Sequence, residues 1–284
     1  MRTFFTTCDE LPEMLRFIPF FILLSASLAH SEPLSLRQSC LNSLKIYKSY
    51  FKVEALEQVC DKALRSPDCN SVKGEPIFHL DYTGVNAKPK KILVLSLIHG
   101  DETSAGGLGR FWLERLSKVD ARNTWRVIPV ANPDGVKAKT RTNSDGVDLN
   151  RNFPTLDWTS EAQNFWKNEA HSAPRKFPGF TAGKEPEVRC LMQHLEDFKP
   201  DFVISIHTPL TVLDFDGPKV KPPHFSYLPW KSLGNFPGSL GRYLWVERKI
   251  PVLTTELKSD LPSLSAPFEQ LQDLIGTLVL TDLK

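Results

Sequence analysis

Three apolar runs, each followed by a residue that binds metals or moves protons, constrain this chain more than any other feature. The runs span 92–98, 201–206 and 250–255. They consist mainly of aliphatic and β-branched residues, which is typical of strands buried on both faces. Because helical patterns lie between and after them, the sequence predicts an α/β fold, with a mixed, largely parallel central sheet and helices on both faces.

The polar residues that follow these runs have the chemistry of a zinc hydrolase. His99 and Glu102 follow the first run, His207 the second and Glu256 the third. Because the carboxyl ends of parallel strands meet at one edge of a sheet, all four can converge in one crevice. Two histidines and one glutamate are a ligand set of catalytic zinc that leaves one position open for water. We therefore expect one Zn²⁺ per chain.

Two polar segments lie between the first and second of these ligand regions. N-P-D-G at 132–135 closes another apolar run, and R-T-N-S-D-G-V-D-L-N-R-N-F-P follows at 141–154. Taken alone, the second segment is a surface loop punctuated by glycine and proline. A random loop has no reason to concentrate two arginines and an asparagine beside a metal segment, however. The combination favours a substrate-binding role.

In motif order and spacing, the chain resembles the zinc carboxypeptidase family over about Ser71 to Leu257. The shared motifs are H-x-x-E, an arginine ahead of D-x-N-R-N-F, a lone histidine after a strand and a late glutamate. The resemblance implies that His99, Glu102 and His207 are the metal ligands. It also implies that Glu256 is the catalytic carboxylate.

The same resemblance implies roles for three residues of the polar segment. Arg141 would stabilise the negative charge that develops on the scissile carbonyl oxygen. Asn150 and Arg151 would hold the free carboxylate of the leaving amino acid, since a guanidinium binds a carboxylate through two parallel hydrogen bonds. Such a clamp selects substrates with a free carboxylate next to the cleaved bond.

Within the family, the motifs are most similar to the murein peptide amidase branch. H-G-D-E at 99–102, N-P-D-G at 132–135 and G-V-D-L-N-R-N-F-P at 146–154 carry this likeness. It implies hydrolysis of the bond between γ-D-glutamate and meso-diaminopimelate in peptidoglycan-derived peptides, with release of terminal diaminopimelate. Two alternatives stay open, a metallocarboxypeptidase acting on ordinary peptides and an inactive peptide-binding module that keeps the fold.

One departure from the digestive members of the family concerns a tyrosine. Those members carry a mobile tyrosine about twenty residues before the late glutamate, where this chain has Gly234, Asn235 and Phe236. Tyr243 is near in sequence but in a different frame. We therefore assign it no catalytic role.

The residues that recognise the leaving amino acid are less clear from sequence. Diaminopimelate carries an ammonium and a carboxylate on its distal centre, so a matching pocket should offer both charge signs. Charged residues between His207 and Glu256 are candidates, although each is individually more typical of solvated surface. They are Asp214, Asp216, Lys219, Arg242, Glu247 and Arg248. Ser239 and its small neighbours are candidates for the pocket floor.

Composition and the N-terminus bear on partners and compartment. A net charge of +2 argues against a nucleic-acid binder, which would carry a basic stripe. The largely apolar stretch 17–29, preceded by Arg16, is too short for a comfortable membrane span and predicts a leader over 1–31. Acidic residues before Met14 favour that methionine as the initiator. We therefore expect a periplasmic protein with no stable membrane span after leader removal.

The rest of the chain divides into two predicted regions, a helical N-terminal segment over 32–70 and a catalytic domain over 71–284. Whether the first inhibits the enzyme or only packs on it stays open. Cys40, Cys60 and Cys69 crowd this region, so one disulfide there is plausible. Cys190 lies in a helical pattern and is expected to be a buried free thiol. The stretch 157–183 is expected to be an irregular loop whose aromatic residues pack locally.

Overall fold

A six-stranded mixed sheet forms the centre of the protein. The computed structural model describes residues 35–47, 53–219, 221 and 223–257, together with residues 270, 271, 275 and 278. The strands are β1 (Leu80–Tyr82), β2 (Lys91–Ser96), β3 (Thr124–Ile128), β4 (Phe202–His207), β5 (Val212–Asp216) and β6 (Val252–Glu256). Their order is β1-β3-β2-β4-β6-β5. The four inner strands are parallel, and β1 and β5 are antiparallel edges.

Helices cover both faces of this sheet. They are α1 (Leu36–Leu44), α2 (Val53–Cys60), α3 (Thr103–Leu116), α4 (Pro133–Ala138), α5 (Gln163–Asn168) and α6 (Pro186–Phe198). Side chains alternate across a strand, so neighbouring residues of β2 enter different cores. Ile92 and Val94 pack with the α3 side, whereas Leu93 and Leu95 pack with the α6 side. The predicted α/β class is confirmed, and the apolar runs are continuous because both faces are buried.

The N-terminal segment packs on the outer face of α3. Cys40 of α1 is bonded to Cys60 of α2. The buried Arg110 of α3 donates to the backbone carbonyls of Leu44 and Tyr47, at 3.2 and 2.6 Å. These contacts place α1 and α2 in the same apolar core as one face of the sheet. The boundary at residue 70 stays a prediction.

Cys190 is not the free thiol that the helical pattern suggested. Its sulfur is bonded to Cys69, with the two Cα atoms 4.8 Å apart. The prediction was wrong because 121 residues separate the two cysteines, and their approach depends on how α6 docks against the segment before β1. Together with the Cys40–Cys60 bond, all four cysteines of the described chain are paired.

The stretch 157–183 is more ordered than the irregular loop that was expected. It contains a π-helical turn over Trp158–Ala162, helix α5 and a 3-10 turn over Pro174–Lys176. The expectation about its aromatic residues holds, because the Trp166 ring lies 4.9 Å from Phe177 and Phe177 lies 5.0 Å from Phe180. These contacts shape a segment that borders the cleft described below.

Two sequence predictions fall outside this description. The leader over 1–31 lies wholly beyond the described residues. The helical pattern after the third apolar run, which covers 267–283 in the sequence, lies almost wholly beyond them. Within the described part of the chain, no helix combines the length and apolar character needed to cross a membrane.

Candidate active site

The candidate ligands converge at the carboxyl edge of the parallel strands. β2 ends at Ser96, and the loop that follows carries His99 and leads into α3 just after Glu102. His207 and Glu256 are the last residues of β4 and β6 and are partners in the register of these parallel neighbours. Side chains at paired positions of parallel strands point to the same face. The fold therefore brings together residues that are up to 157 positions apart in sequence.

His99, Glu102 and His207 form a compact group of potential metal ligands. The Glu102 carboxylate lies between the two imidazoles, with Oε1 2.8 Å from His99 Nδ1 and Oε2 3.0 Å from His207 Nδ1. One donor atom from each residue lies within 4.8 Å of the others, and all three side chains are largely buried. Three such donors in close proximity fit a single zinc ion.

Two residues that the sequence analysis did not assign orient the histidines. Asp148 Oδ1 lies 3.2 Å from His99 Nε2, and Ser205 Oγ lies 3.0 Å from His207 Nε2. Such contacts to the second ring nitrogen fix the ring orientation of a metal-ligating histidine. Asp148 is the aspartate of the D-x-N-R motif, so the sequence contained a signal for it. Ser205 lies in an apolar run with no distinguishing signal.

Asp148 also holds Arg141. Arg141 Nε donates to Asp148 Oδ2 at 2.8 Å, while its Nη1 lies 3.6 Å from Glu102 Oε1. Burial opposes ionisation of Asp148, but the charges of Arg141 and His99 outweigh it and hold the pKa of this carboxyl far below its usual range. One buried carboxylate thus positions both a potential ligand and the guanidinium beside it.

Glu256 faces the ligand group with a carboxylate suited to proton transfer. Its side chain is largely buried, and its Oε2 accepts a hydrogen bond from the Leu210 backbone N–H at 3.2 Å. Burial raises the pKa of Glu256 above its usual value, despite the charge of His207 and the Leu210 hydrogen bond. A raised pKa moves a carboxylate toward the range in which it both accepts and returns a proton near neutral pH.

Asn150 and Arg151 lie in the same cleft. Asn150 Oδ1 accepts from the Leu240 N–H at 2.8 Å, which leaves its NH₂ group as the donor. The Arg151 guanidinium stacks 4.6 Å from the centre of the Phe236 ring, and its Nε is buried without a hydrogen-bond partner. A buried donor without a partner is costly, so this position is suited to an anionic ligand group.

Two further carboxylates line the cleft, which has a volume of about 310 Å³. Of the six charged candidates from the sequence, only Asp214 and Asp216 line it. Burial raises the pKa of Asp216 to about 6, and the neighbouring charge of Asp214 adds to the shift. Neither carboxylate has an ion-pair partner within the described residues. Gly241 lies directly against the Asp216 carboxylate, since a Cβ there would be 2.1 Å from Asp216 Oδ2.

The other charged candidates are used elsewhere. Arg242 pairs with Asp157 at 2.8 Å, and Arg248 pairs with Glu196. Glu247 accepts a hydrogen bond from the Leu156 backbone, and Lys219 is exposed. Ser239 does line the cleft, as expected for a residue of the pocket floor, together with Lys176, which the sequence did not single out.

Tyr243 lies outside the cleft. It is buried against Phe153, with ring centres 5.5 Å apart, and Arg248 covers its ring. Phe236 and Gly234, from the region where digestive members carry their tyrosine, line the cleft instead. Within the described residues, no tyrosine hydroxyl faces the candidate ligands from this region.

A second group of potential ligands is already engaged in other contacts. Cys69, Cys190 and His194 cluster within 4.8 Å, but the two sulfurs are bonded to each other. His194 packs edge-on against His79, with ring centres 4.7 Å apart, and burial lowers the pKa of His194 to about 3. His171 and His224 are exposed. These four histidines are therefore structural or surface residues.

Comparison with known proteins identifies the family of this chain. Residues 56–216 match the model of the zinc carboxypeptidase family. A murein peptide amidase A from Vibrio campbellii is 33% identical over 204 residues, which cover 66% of this chain and 76% of the relative. Murein peptide amidase A from Escherichia coli K12 is 34% identical over 125 residues, covering 43% of this chain and 50% of the relative.

Solved structures show the same fold. The murein-tripeptide amidase of Escherichia coli O157 superimposes with a TM-score of 0.55 at 24% identity, over 76% of this chain and 91% of that one. Thrombin activatable fibrinolysis inhibitor gives a TM-score of 0.60 at 16% identity, over 80% of this chain and 70% of that one. Because the family model spans more than half of the sequence, this protein belongs to the zinc carboxypeptidase family and is a zinc metallopeptidase.

Proposed function

We propose that this protein is an exported amidase that hydrolyses the bond between γ-D-glutamate and meso-diaminopimelate in peptidoglycan-derived peptides. The observation that carries the proposal is the charge pattern of the cleft. It is lined by a guanidinium with an unpartnered buried N–H and by two carboxylates that have no ion-pair partner among the described residues. A leaving residue that complements this cleft bears a free carboxylate and a distal ammonium.

The residues of the cleft divide the chemistry among them. His99, Glu102 and His207 would hold the zinc ion, which would supply Lewis-acid chemistry toward water and the scissile carbonyl. Glu256 accepts a proton from the attacking water and returns it to the leaving nitrogen. Arg141, held by Asp148, stabilises the developing oxyanion with a charge that needs no reorganisation.

We assign contacts to both ends of the leaving residue. Arg151 and Asn150 bind the carboxylate next to the cleaved amide, which is the group that every carboxypeptidase substrate offers. Asp214 and Asp216 accept the distal ammonium of diaminopimelate. Lys176, which lines the same cleft, is the cation available for the distal carboxylate. Lysine as a leaving residue would satisfy the first two contacts and leave Lys176 unused.

Two further considerations support this assignment. The relatives named murein peptide amidase A share about a third of their residues with this chain in the aligned regions. The proposed export rests on the leader-like stretch 17–29, and an exported enzyme of this kind meets the cell-wall polymer and its fragments. A conventional carboxypeptidase that removes basic residues is the second candidate, because two acidic groups in the leaving-residue pocket also suit lysine or arginine.

A substrate panel tests the proposal. Zinc-loaded protein is assayed against L-Ala-γ-D-Glu-meso-diaminopimelate, the same peptide ending in L-lysine, and α-linked peptides ending in lysine or arginine. We expect release of diaminopimelate with a kcat/KM at least about tenfold above that of the lysine peptide, as one additional charged contact implies. Equal or faster turnover of the α-linked basic peptides would instead support the second candidate.

Substitution of Asp216 by asparagine is expected to alter pH dependence. The carboxylate is the form that binds an ammonium, so the KM of the wild type should fall as pH rises through about 6, the pKa of Asp216. Asp216→Asn should raise KM at pH 7 by about tenfold. It should also remove the fall of KM between pH 5 and 7, because the amide carries no charge. Kinetic measurements from pH 5 to 8 check this. Asp61→Asn, at an exposed site in a different region, is the control and should behave as wild type.

A further inference from the structure

A second cavity adjoins the cleft at the reaction centre. The two share Glu102, Arg141, Leu210 and Glu256 as walls, but the second also contains Asp101, Thr208 and Arg175. Arg151, Asn150, Asp214 and Asp216 all line the first cavity and not the second. Since the leaving residue occupies the first, the acyl part of a substrate that crosses the reaction centre enters the second.

The second cavity is lined by acidic side chains and by two arginines. Asp101, Glu102 and Glu256 are acidic, and the cations within its described lining are Arg141 and Arg175. Arg141 is largely buried and committed to Asp148 and Glu102. The Arg175 side chain is 61% exposed and pairs through Nη2 with Asp101 Oδ2 at 2.7 Å. A guanidinium has five N–H groups, so most of its donors stay available.

Arg175 is held at this position by the segment that precedes it. It lies in the 3-10 turn Pro174–Lys176, and Trp166 Nε1 donates to the Ala173 carbonyl just before that turn at 2.9 Å. The following residue, Lys176, faces the leaving-residue cleft. One short turn therefore presents a cation to each cavity. The ion pair between Arg175 and Asp101 connects this turn to the loop between β2 and α3, which carries His99.

A γ-linked substrate differs from an ordinary peptide at this place. In γ-D-glutamyl peptides the scissile carbonyl belongs to the side chain, so the residue on the acyl side keeps a free α-carboxylate. An α-linked residue has no carboxylate at that position. Without an available cation, the acidic walls of this cavity would repel such an anion.

We propose that Arg175 binds the α-carboxylate of the γ-linked D-glutamate and so selects γ-linked substrates. This inference rests on the proposed function and adds a specificity determinant on the acyl side. The ion pair with Asp101 does not block this contact, because it engages Arg175 through Nη2 and leaves other guanidinium donors available. Asp101 instead orients the guanidinium, and the substrate carboxylate takes the remaining donors.

The test compares two substrates that differ only in this group. The first is L-Ala-γ-D-Glu-meso-diaminopimelate. In the second, the α-carboxylate of the D-glutamate is converted to an amide, so that this residue is a γ-linked D-isoglutamine. The wild type should favour the acid by about tenfold in kcat/KM, as expected for one charge-assisted contact. In Arg175→Ala this ratio should approach one through a higher KM for the acid, and Arg175→Lys should restore part of it.

The control is Arg37→Ala, which removes another exposed arginine paired with an aspartate and should keep the wild-type ratio. A ratio unchanged in Arg175→Ala, or an equal loss on both substrates, overturns the role of Arg175 and leaves the proposed function standing. Failure of the wild type to release diaminopimelate from either substrate overturns the proposed function and, with it, this inference.

Discussion

Glu256→Gln is expected to lower kcat by about 10³-fold while the protein retains one zinc ion per chain. Glutamine keeps the size of the side chain and can still meet the Leu210 N–H through its carbonyl oxygen. It cannot accept the proton of the attacking water, and general acid–base groups contribute about 10²–10⁴-fold to rate. Steady-state kinetics with the diaminopimelate tripeptide and metal analysis of the same sample measure both quantities.

Glu196→Gln is the matched control for this variant. Glu196 is exposed, pairs with Arg248 and does not line the cleft, so its loss should leave kcat unchanged. A Glu256→Gln enzyme with wild-type turnover would remove Glu256 from proton transfer. Loss of zinc in that variant would assign Glu256 to the metal site instead.

His207→Ala is expected to abolish zinc retention and, with it, activity. The variant leaves only His99 and Glu102 from the three-donor group. Loss of groups that merely orient a ligand already weakens metal binding by about 10–100-fold, and loss of a ligand itself should weaken it more. Zinc content after dialysis against a weak chelator, together with competition titration, measures the change.

His224→Ala serves as its control, because His224 is exposed and does not line the cleft. It should retain zinc and turnover. Thermal unfolding of both variants with and without zinc separates loss of metal from loss of fold, since a metal that binds only the native state raises Tm. Full zinc occupancy in folded His207→Ala would show that the ion is held by other residues.

The inner part of the fold was predictable because its signal is local. Each parallel strand is buried on both faces, so a continuous apolar run marks it without information about its neighbours. The ends of those runs located His99, Glu102, His207 and Glu256, because the position of a residue at a strand end is a local property. Fold class and the candidate ligand types therefore needed no tertiary structure.

Two of the contacts that the sequence did not reveal join residues far apart in the chain. The Cys69–Cys190 bond joins residues 121 positions apart, and neither segment contains a pattern that points to the other. Ser205 is only two positions from His207 and was missed because it lies within an apolar run that gives no signal of its role. Arg175, like the cysteines, reaches its partner over a long separation, 74 positions from Asp101. Contacts of this kind depend on how helices and loops dock on the sheet.

The sequence by itself determined the kind of sheet, the chemical types at its carboxyl edge and the likeness to a zinc peptidase family. These follow from periodicity, from the side chains at strand ends and from motif order, all of which are properties of short segments. Only the tertiary structure decided which charged residues face the cleft. Asp214 and Asp216 line it while Arg242 and Arg248 pair elsewhere, because packing of the whole chain sets the direction of each side chain.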